Sequence, residues 1–193
     1  IMICEMTENF IFTDYIEDLS LCDDIINYHN TTNLKGPGQL GYELVIPKTK
    51  KSTDSRLTDN KELTQRYFIQ IKNVMNKYIK KFPYCDFYNP WDISVPVNIQ
   101  HYKPNGGFYQ WHCERNSSSW PNSARHLVFM TYLNDVDEGG TKFYHQNVTI
   151  KAEKGKTLIF PADWTHTHCG EISTTQEKYI ITGWLSFNNV PLT

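Results

Sequence analysis

"WDISVPVNIQ", residues 91–100, is where the pattern of the chain changes. Ile93, Val95, Val97 and Ile99 alternate with Ser94, Pro96, Asn98 and Gln100, the period of two that gathers apolar side chains on one face of a strand. Downstream, strand-like runs recur near residues 107–113, 126–133, 141–144, 147–152, 156–160 and 178–187, with turn signals at Asn105-Gly106-Gly107, Glu138-Gly139-Gly140 and Lys154-Gly155. Upstream the period is helical. Leu21, Cys22, Ile25, Ile26 and His29 follow helix spacing, with Ser20 placed to cap them. Leu63, Tyr67, Ile71, Val74 and Tyr78 form a longer apolar face behind a capping-box pattern of Asp59 and Glu62, and Phe82-Pro83 ends it. Residues 33–57 hold Gly36-Pro37-Gly38, Gly41, Pro47 and the cluster Lys48, Lys50 and Lys51, and read as a long solvated loop with room for one strand near Tyr42–Ile46. Helices first, then seven or so short strands, imply a mostly β fold with flanking α: an antiparallel sandwich or jelly roll with helices packed on one side.

The 193 residues suit one domain, with 1–90 as helical support and loop region and 91–187 as the β core. A net charge of -2 provides no broad basic field, so neither nucleic acid nor an anionic membrane surface is an expected partner. Cys4, Cys22, Cys85, Cys113 and Cys169 lie far apart without a Cys-x-x-Cys pair, which implies reduced thiols and an intracellular, cytoplasmic setting. Asn30-Thr31-Thr32, Asn116-Ser117-Ser118 and Asn147-Val148-Thr149 match the glycosylation pattern, but neither a secretory signal nor an eighteen-residue apolar run accompanies them, so they read as chance matches.

His112-Cys113-Glu114 is a short motif of the kind that arises by chance about once in such a chain, so its context decides. On a strand, His112 and Glu114 point to one face and Cys113 to the other, giving two members of a two-histidine, one-carboxylate metal site. A third ligand is available in "FPADWTHTHCGEISTTQEKYIITGWLSF", residues 160–187, as His166 or His168. In the strand that follows, Lys178, Ile180, Thr182 and Trp184 share a face. A lysine there needs either an anion to neutralise it or a route to solvent.

Several ordered landmarks accompany these residues. Tyr102 and Gly106 precede His112; Arg125 leads to Tyr132-Leu133-Asn134; Gly139-Gly140-Thr141-Lys142-Phe143 follows; Gly155 precedes Phe160-Pro161; and Lys178 stands ten residues after His168 and six before Trp184. Together, from about Asn98 to Phe187, they resemble the catalytic core of the Fe(II)/2-oxoglutarate-dependent dioxygenases, nearest the prolyl 4-hydroxylase-like branch, whose fold is a double-stranded β-helix. The resemblance implies Fe(II) held by His112, Glu114 and His168, with His166 beside the site. It implies that Lys178 and Tyr132 bind the far carboxylate of 2-oxoglutarate, that Tyr102 reaches the chelating end, and that Thr182 and Trp184 line the cavity. The implied reaction couples oxidative decarboxylation of 2-oxoglutarate to hydroxylation of a substrate C–H by O2, with ascorbate as a possible reductant. A proline in a peptide or protein is the implied substrate, with a small molecule behind it. Glu114 departs from the aspartate usual in this branch. Two other readings keep the fold: a cupin-type metal enzyme using His166, His168 and Glu171 without 2-oxoglutarate, and a non-catalytic jelly-roll binding module. Loops 33–57 and 115–124 are placed to border the mouth of the site. Nothing in the sequence specifies an oligomeric state.

Overall fold

Leu63, Tyr67, Ile71, Val74, Met75 and Tyr78 are buried along one side of the longer of the two α-helices among the described residues. Each such burial contributes roughly 1.5–3 kcal/mol of hydrophobic stabilisation. The structure is a computed structural model that describes residues 8–39 and 45–188. In chain order its elements are β1 (Phe12–Tyr15), α1 (Ser20–Thr31), β2 (Lys35–Pro37), β3 (Thr53–Arg56), α2 (Lys61–Lys81), β4 (Trp91–Ile93), β5 (Asn98–Tyr102), β6 (Arg125–Tyr132), β7 (Val136–Phe143), β8 (Val148–Ala152), β9 (Lys156–Pro161), β10 (His168–Gly170) and β11 (Lys178–Phe187).

The strands form two antiparallel sheets, the jelly-roll arrangement. The larger runs β1-β9-β6-β11-β5-β3-β2, with β4 also paired to β11, and the smaller runs β10-β7-β8. Period-two alternation sorts the central strands between two cores. Ile99, Leu127, Phe129, Ile159, Tyr179, Ile181 and Leu185 face α1 and α2. Tyr102, Val128, Met130, Tyr132, Leu158, Phe160 and Ile180 face the smaller sheet, where Val136, Phe143 and Ala152 meet them. Gly183 stands on the helix side of β11 because a Cβ there would lie 2.3 Å from the Phe129 ring. A chain of buried hydroxyls satisfies itself: the Tyr67 hydroxyl pairs with Thr131 Oγ1 at 2.7 Å, which pairs with Thr157 Oγ1 at 2.7 Å. The Lys154-Gly155 turn is as expected, with Gly155 at φ +79°.

Several local expectations are corrected. Ser20 does not cap α1: Asp18 Oδ1 accepts from the Leu21 N–H, and the Ser20 hydroxyl donates to the same carboxylate. The cap of α2 is Asn60, whose Oδ1 accepts from the Leu63 N–H at 3.1 Å, and not a box built on Asp59. The 93–100 run is two strands rather than one, because Pro96 has no N–H for a ladder. The 107–113 run makes only isolated bridges, Phe108 with Lys50 and His112 with His168. Segment 33–57 contains the β2–β3 hairpin, and most of the strand expected near Tyr42–Ile46 lies outside the described residues. Lys48 and Lys51 are exposed as expected of a solvated loop, but Lys50 is 5% exposed and pairs with Asp54 at 2.6 Å. Strands β1 and β10 were not expected.

Cys22, Cys85, Cys113 and Cys169 are free thiols. Among the described residues no helix is long and apolar enough to cross a membrane.

Candidate active site

A cleft of about 1070 Å³ opens between the two sheets, and Tyr102, His112, Glu114, Tyr132, His168, Lys178, Thr182 and Trp184 all line it. Every site residue expected from the sequence is therefore brought to one place. His166 is not among them.

The two histidines meet through their backbones. His112 N–H donates to His168 O at 3.0 Å and His168 N–H returns a bond to His112 O at 2.8 Å, so the residues stand directly opposite one another. Residues so paired put their side chains on the same face, and the imidazole centroids lie 4.4 Å apart. Each ring is then fixed by a carbonyl two residues back: His112 Nδ1 lies 3.0 Å from Gln110 O and His168 Nδ1 lies 2.9 Å from His166 O. A carbonyl only accepts, so Nδ1 carries the proton in both rings and each Nε2 presents a lone pair. Both lone pairs face the same oxygen, with Glu114 Oε1 3.4 Å from His112 Nε2 and 3.7 Å from His168 Nε2. One ligand atom from each of the three residues lies within 4.8 Å of the others. Two imidazoles preset as acceptors around one carboxylate oxygen, each held by a second hydrogen bond, fit a divalent cation.

The other carboxylate oxygen is engaged elsewhere. Trp184 Nε1–H donates to Glu114 Oε2 at 2.9 Å, and Arg125 Nη1 lies 3.4 Å from it while donating to the Glu114 carbonyl at 2.8 Å. Burial works against ionising Glu114, but in the metal-free site, when the two rings also carry a proton on Nε2, their hydrogen bonds and charge prevail and hold the carboxyl well below the usual carboxylate range.

Deeper in the cleft, Lys178 is 5% exposed and donates to Gly139 O and Glu171 O, both at 2.9 Å. Glu138, at φ 55°, and a register break between Val136 and Thr141 mark a bulge in β7 beside this acceptor. Burial pushes the Lys178 amine down to about 8, against the opposing pull of Glu171. The ammonium sits over the Tyr102 ring at 5.4 Å. The Tyr102 hydroxyl donates to Gln100 Oε1 at 2.6 Å, and the Tyr132 hydroxyl pairs with Thr141 Oγ1 at 2.6 Å. Burial raises both phenols, so both keep their protons.

His166 turns away from the cleft: Nε2 bonds Asn9 O at 2.9 Å and Nδ1 bonds Thr165 Oγ1 at 3.0 Å. Glu171 pairs with Lys142 at 3.3 Å. The ligand set of the cupin reading is thus not assembled.

Sequence reasoning gave no role to three groups found here. Arg125 served only as a landmark, although its guanidinium lies 3.8 Å from the centre of the Trp184 ring. Lys50 and Asp54 border the cleft as an ion pair, and their opposite charges four residues apart were the available signal. Phe108 stacks on the His112 ring, centroids 3.8 Å apart, and only the fold reveals it.

Residues 97–186, the segment that carries all three candidate ligands and Lys178, match the 2OG-Fe(II) oxygenase superfamily. This segment is a 2OG-Fe(II) oxygenase domain, of a class that uses Fe(II), 2-oxoglutarate and O2. Its fold is similar to the viral collagen prolyl hydroxylase of Paramecium Bursaria Chlorella virus-1, solved as a complex with 2OG, at 20% identity and a TM-score of 0.69 over 93% of this chain and 97% of that one. It is also similar to a Trichoplax adhaerens prolyl hydroxylase in complex with a hypoxia inducible factor peptide fragment, at 15% identity and a TM-score of 0.70 over 93% of this chain and 84% of that one. A Pseudomonas putida prolyl-4-hydroxylase has 13% identity and a TM-score of 0.69 over 92% of each chain. No curated protein matches the sequence.

Proposed function

We propose that the protein hydroxylates a proline residue of a peptide or protein, with residues 91–187 as the catalytic core and 1–90 as its support in one catalytic unit. His112, Glu114 and His168 would hold Fe(II), leaving one side of the ion to 2-oxoglutarate and O2. When bound, these would supply the oxidant: one atom of O2 would enter the substrate C–H as hydroxyl and the other the new carboxylate of succinate, as 2-oxoglutarate loses CO2. The chain's own groups bind and orient. An ammonium carries three N–H donors and Lys178 spends two on carbonyls, so the third serves the far carboxylate of 2-oxoglutarate. Tyr132 adds a neutral donor beside it and Tyr102 reaches the chelating end.

The observation that carries this reading is the convergence of two preset imidazole lone pairs on one oxygen of Glu114, in the same cleft as a buried lysine. The peptide substrate is supported by the size of the cleft, whose lining includes Arg56, Asp59, Trp120 and Asn122. It is supported also by the fold shared with prolyl hydroxylases, one of them holding a peptide.

The first test is anaerobic addition of 2-oxoglutarate to the Fe(II)-loaded protein, expected to produce a weak charge-transfer band in the visible range. The second measures succinate release with proline-containing peptides and mass spectrometry of the peptide for one added oxygen. Succinate release without an oxidised peptide across a broad panel would reject proline and retain the oxygenase.

A further inference from the structure

We infer that Trp184 and Arg125 are positioning residues that hold Glu114 as a one-oxygen metal ligand, so that the glutamate and the indole work as a matched pair. The inference rests on the proposed ligand set and deepens it.

The two oxygens of Glu114 have separate environments. Oε1 faces both imidazoles, whereas Oε2 accepts from the Trp184 indole at 2.9 Å with Arg125 at 3.4 Å. Arg125 is itself held in two ways, by its bond to the Glu114 carbonyl at 2.8 Å and by its stack on the Trp184 ring at 3.8 Å. Trp184 projects from β11 on the cleft face, and a register shift between Leu185 and Ser186 brings Arg125 opposite Ser186, one turn of the pleat away. The three residues thus close a ring of contacts around one oxygen atom.

The geometry explains why the longer acid is usable here. A glutamate has one more rotatable bond than an aspartate, and an unpinned carboxylate could swing both oxygens onto a cation and occupy a position needed by the co-substrates. The indole N–H removes that freedom by engaging Oε2. Conversely, an aspartate at position 114 draws the carboxylate back by about one bond, ~1.5 Å, which takes one oxygen beyond hydrogen-bond reach of Trp184 or the other out of the ligand cluster with the two imidazoles. Glutamate length and the indole donor therefore require one another.

The test uses Co(II) as an oxygen-stable probe, with affinity measured by chelator competition and coordination read from the visible absorption of the bound ion. Trp184→Phe is expected to lower Co(II) affinity 10- to 100-fold, the usual cost of losing a group that orients a ligand, and to change the absorption spectrum. Glu114→Asp is expected to do the same although it keeps the carboxylate. The double variant should lose little more than either single one, since each removes the same contact. Wild-type affinity and spectrum in Trp184→Phe, or losses that simply add in the double variant, would overturn the inference. If Trp184→Phe fails to fold by circular dichroism, Glu114→Asp decides alone: reduced affinity with an altered spectrum supports the pairing, and unchanged values reject it. Absence of Co(II) binding in the wild type, or binding that survives His112→Ala, rejects the ligand set itself and the inference with it.

Discussion

Phe108 lies flat against the imidazole of His112, ring centroids 3.8 Å apart and planes within 20°. The backbone of Phe108 is bridged to that of Lys50, and its neighbours are tied in the same way: Lys51 N–H donates to Gly107 O and Tyr109 N–H to Thr49 O. A loop from the N-terminal half of the chain therefore braces the first candidate ligand, and the Lys50–Asp54 ion pair anchors that loop at the edge of the cleft.

Asp54→Ala should accordingly cost about 3 kcal/mol of stability, because it strands a buried ammonium. Urea denaturation measures it. A Lys50→Met/Asp54→Ala double variant, with no charge left to strand, should recover much of the loss.

His112→Ala and His168→Ala should abolish stoichiometric Fe(II) binding, whereas His166→Ala should keep the metal. The latter should instead lower stability by about 1–3 kcal/mol, since Asn9 O and Thr165 lose a buried partner. Metal analysis of the purified variants, paired with thermal melts, separates the two effects. Metal retained by His168→Ala and lost by His166→Ala would reverse the assignment.

Lys178 sets a pH dependence whose sign follows from burial. Its folded value, about 8, lies below the ordinary 10.5, so between those limits the unfolded chain binds more protons. Stability of the 2-oxoglutarate-free protein therefore rises from pH 8 to 10.5, by up to about 3 kcal/mol relative to Lys178→Met. Affinity for 2-oxoglutarate runs the other way: it requires the ammonium, so it is flat below pH 8 and falls about tenfold per unit above it. Titration calorimetry across pH 6.5–9.5 checks this, and Lys178→Arg, which stays charged, should flatten the upper limb.

Tyr132→Phe should weaken 2-oxoglutarate binding roughly tenfold, in line with ~1–1.5 kcal/mol for one neutral hydrogen bond. Fe(II) affinity should not change. A loss of metal affinity instead would place the hydroxyl's role in packing around Thr141 rather than in ligand binding.

The parts of the fold legible in the sequence are those where one face is dry and the other wet. The α2 stripe from Leu63 to Tyr78 and the β11 set Lys178, Ile180, Thr182 and Trp184 read true because burial imposes their periods. β2 and β3, with sequences KGP and TDSR, escaped notice because one of their faces borders a polar cleft and needs no apolar pattern. Lys50 was misread for a related reason: a lysine in a loop looks solvated until the fold supplies both the cover and Asp54. The caps failed by one or two residues, since Asp18 and Asn60 have neighbours that could bond the same N–H groups. At the site, the resemblance carried by the ordered landmarks picked out the residues that face the cleft, but Arg125 and Phe108 act through side chains that only the folded chain brings near.

The paired backbone bonds between His112 and His168 have a mechanical consequence. The first segment belongs to neither sheet and the second opens β10 of the smaller one, and an isolated bridge rather than a continuous ladder joins them. An ion gripped by both imidazoles would therefore act as a rivet across the seam, and filling the site would stiffen the rim through which any large molecule must enter.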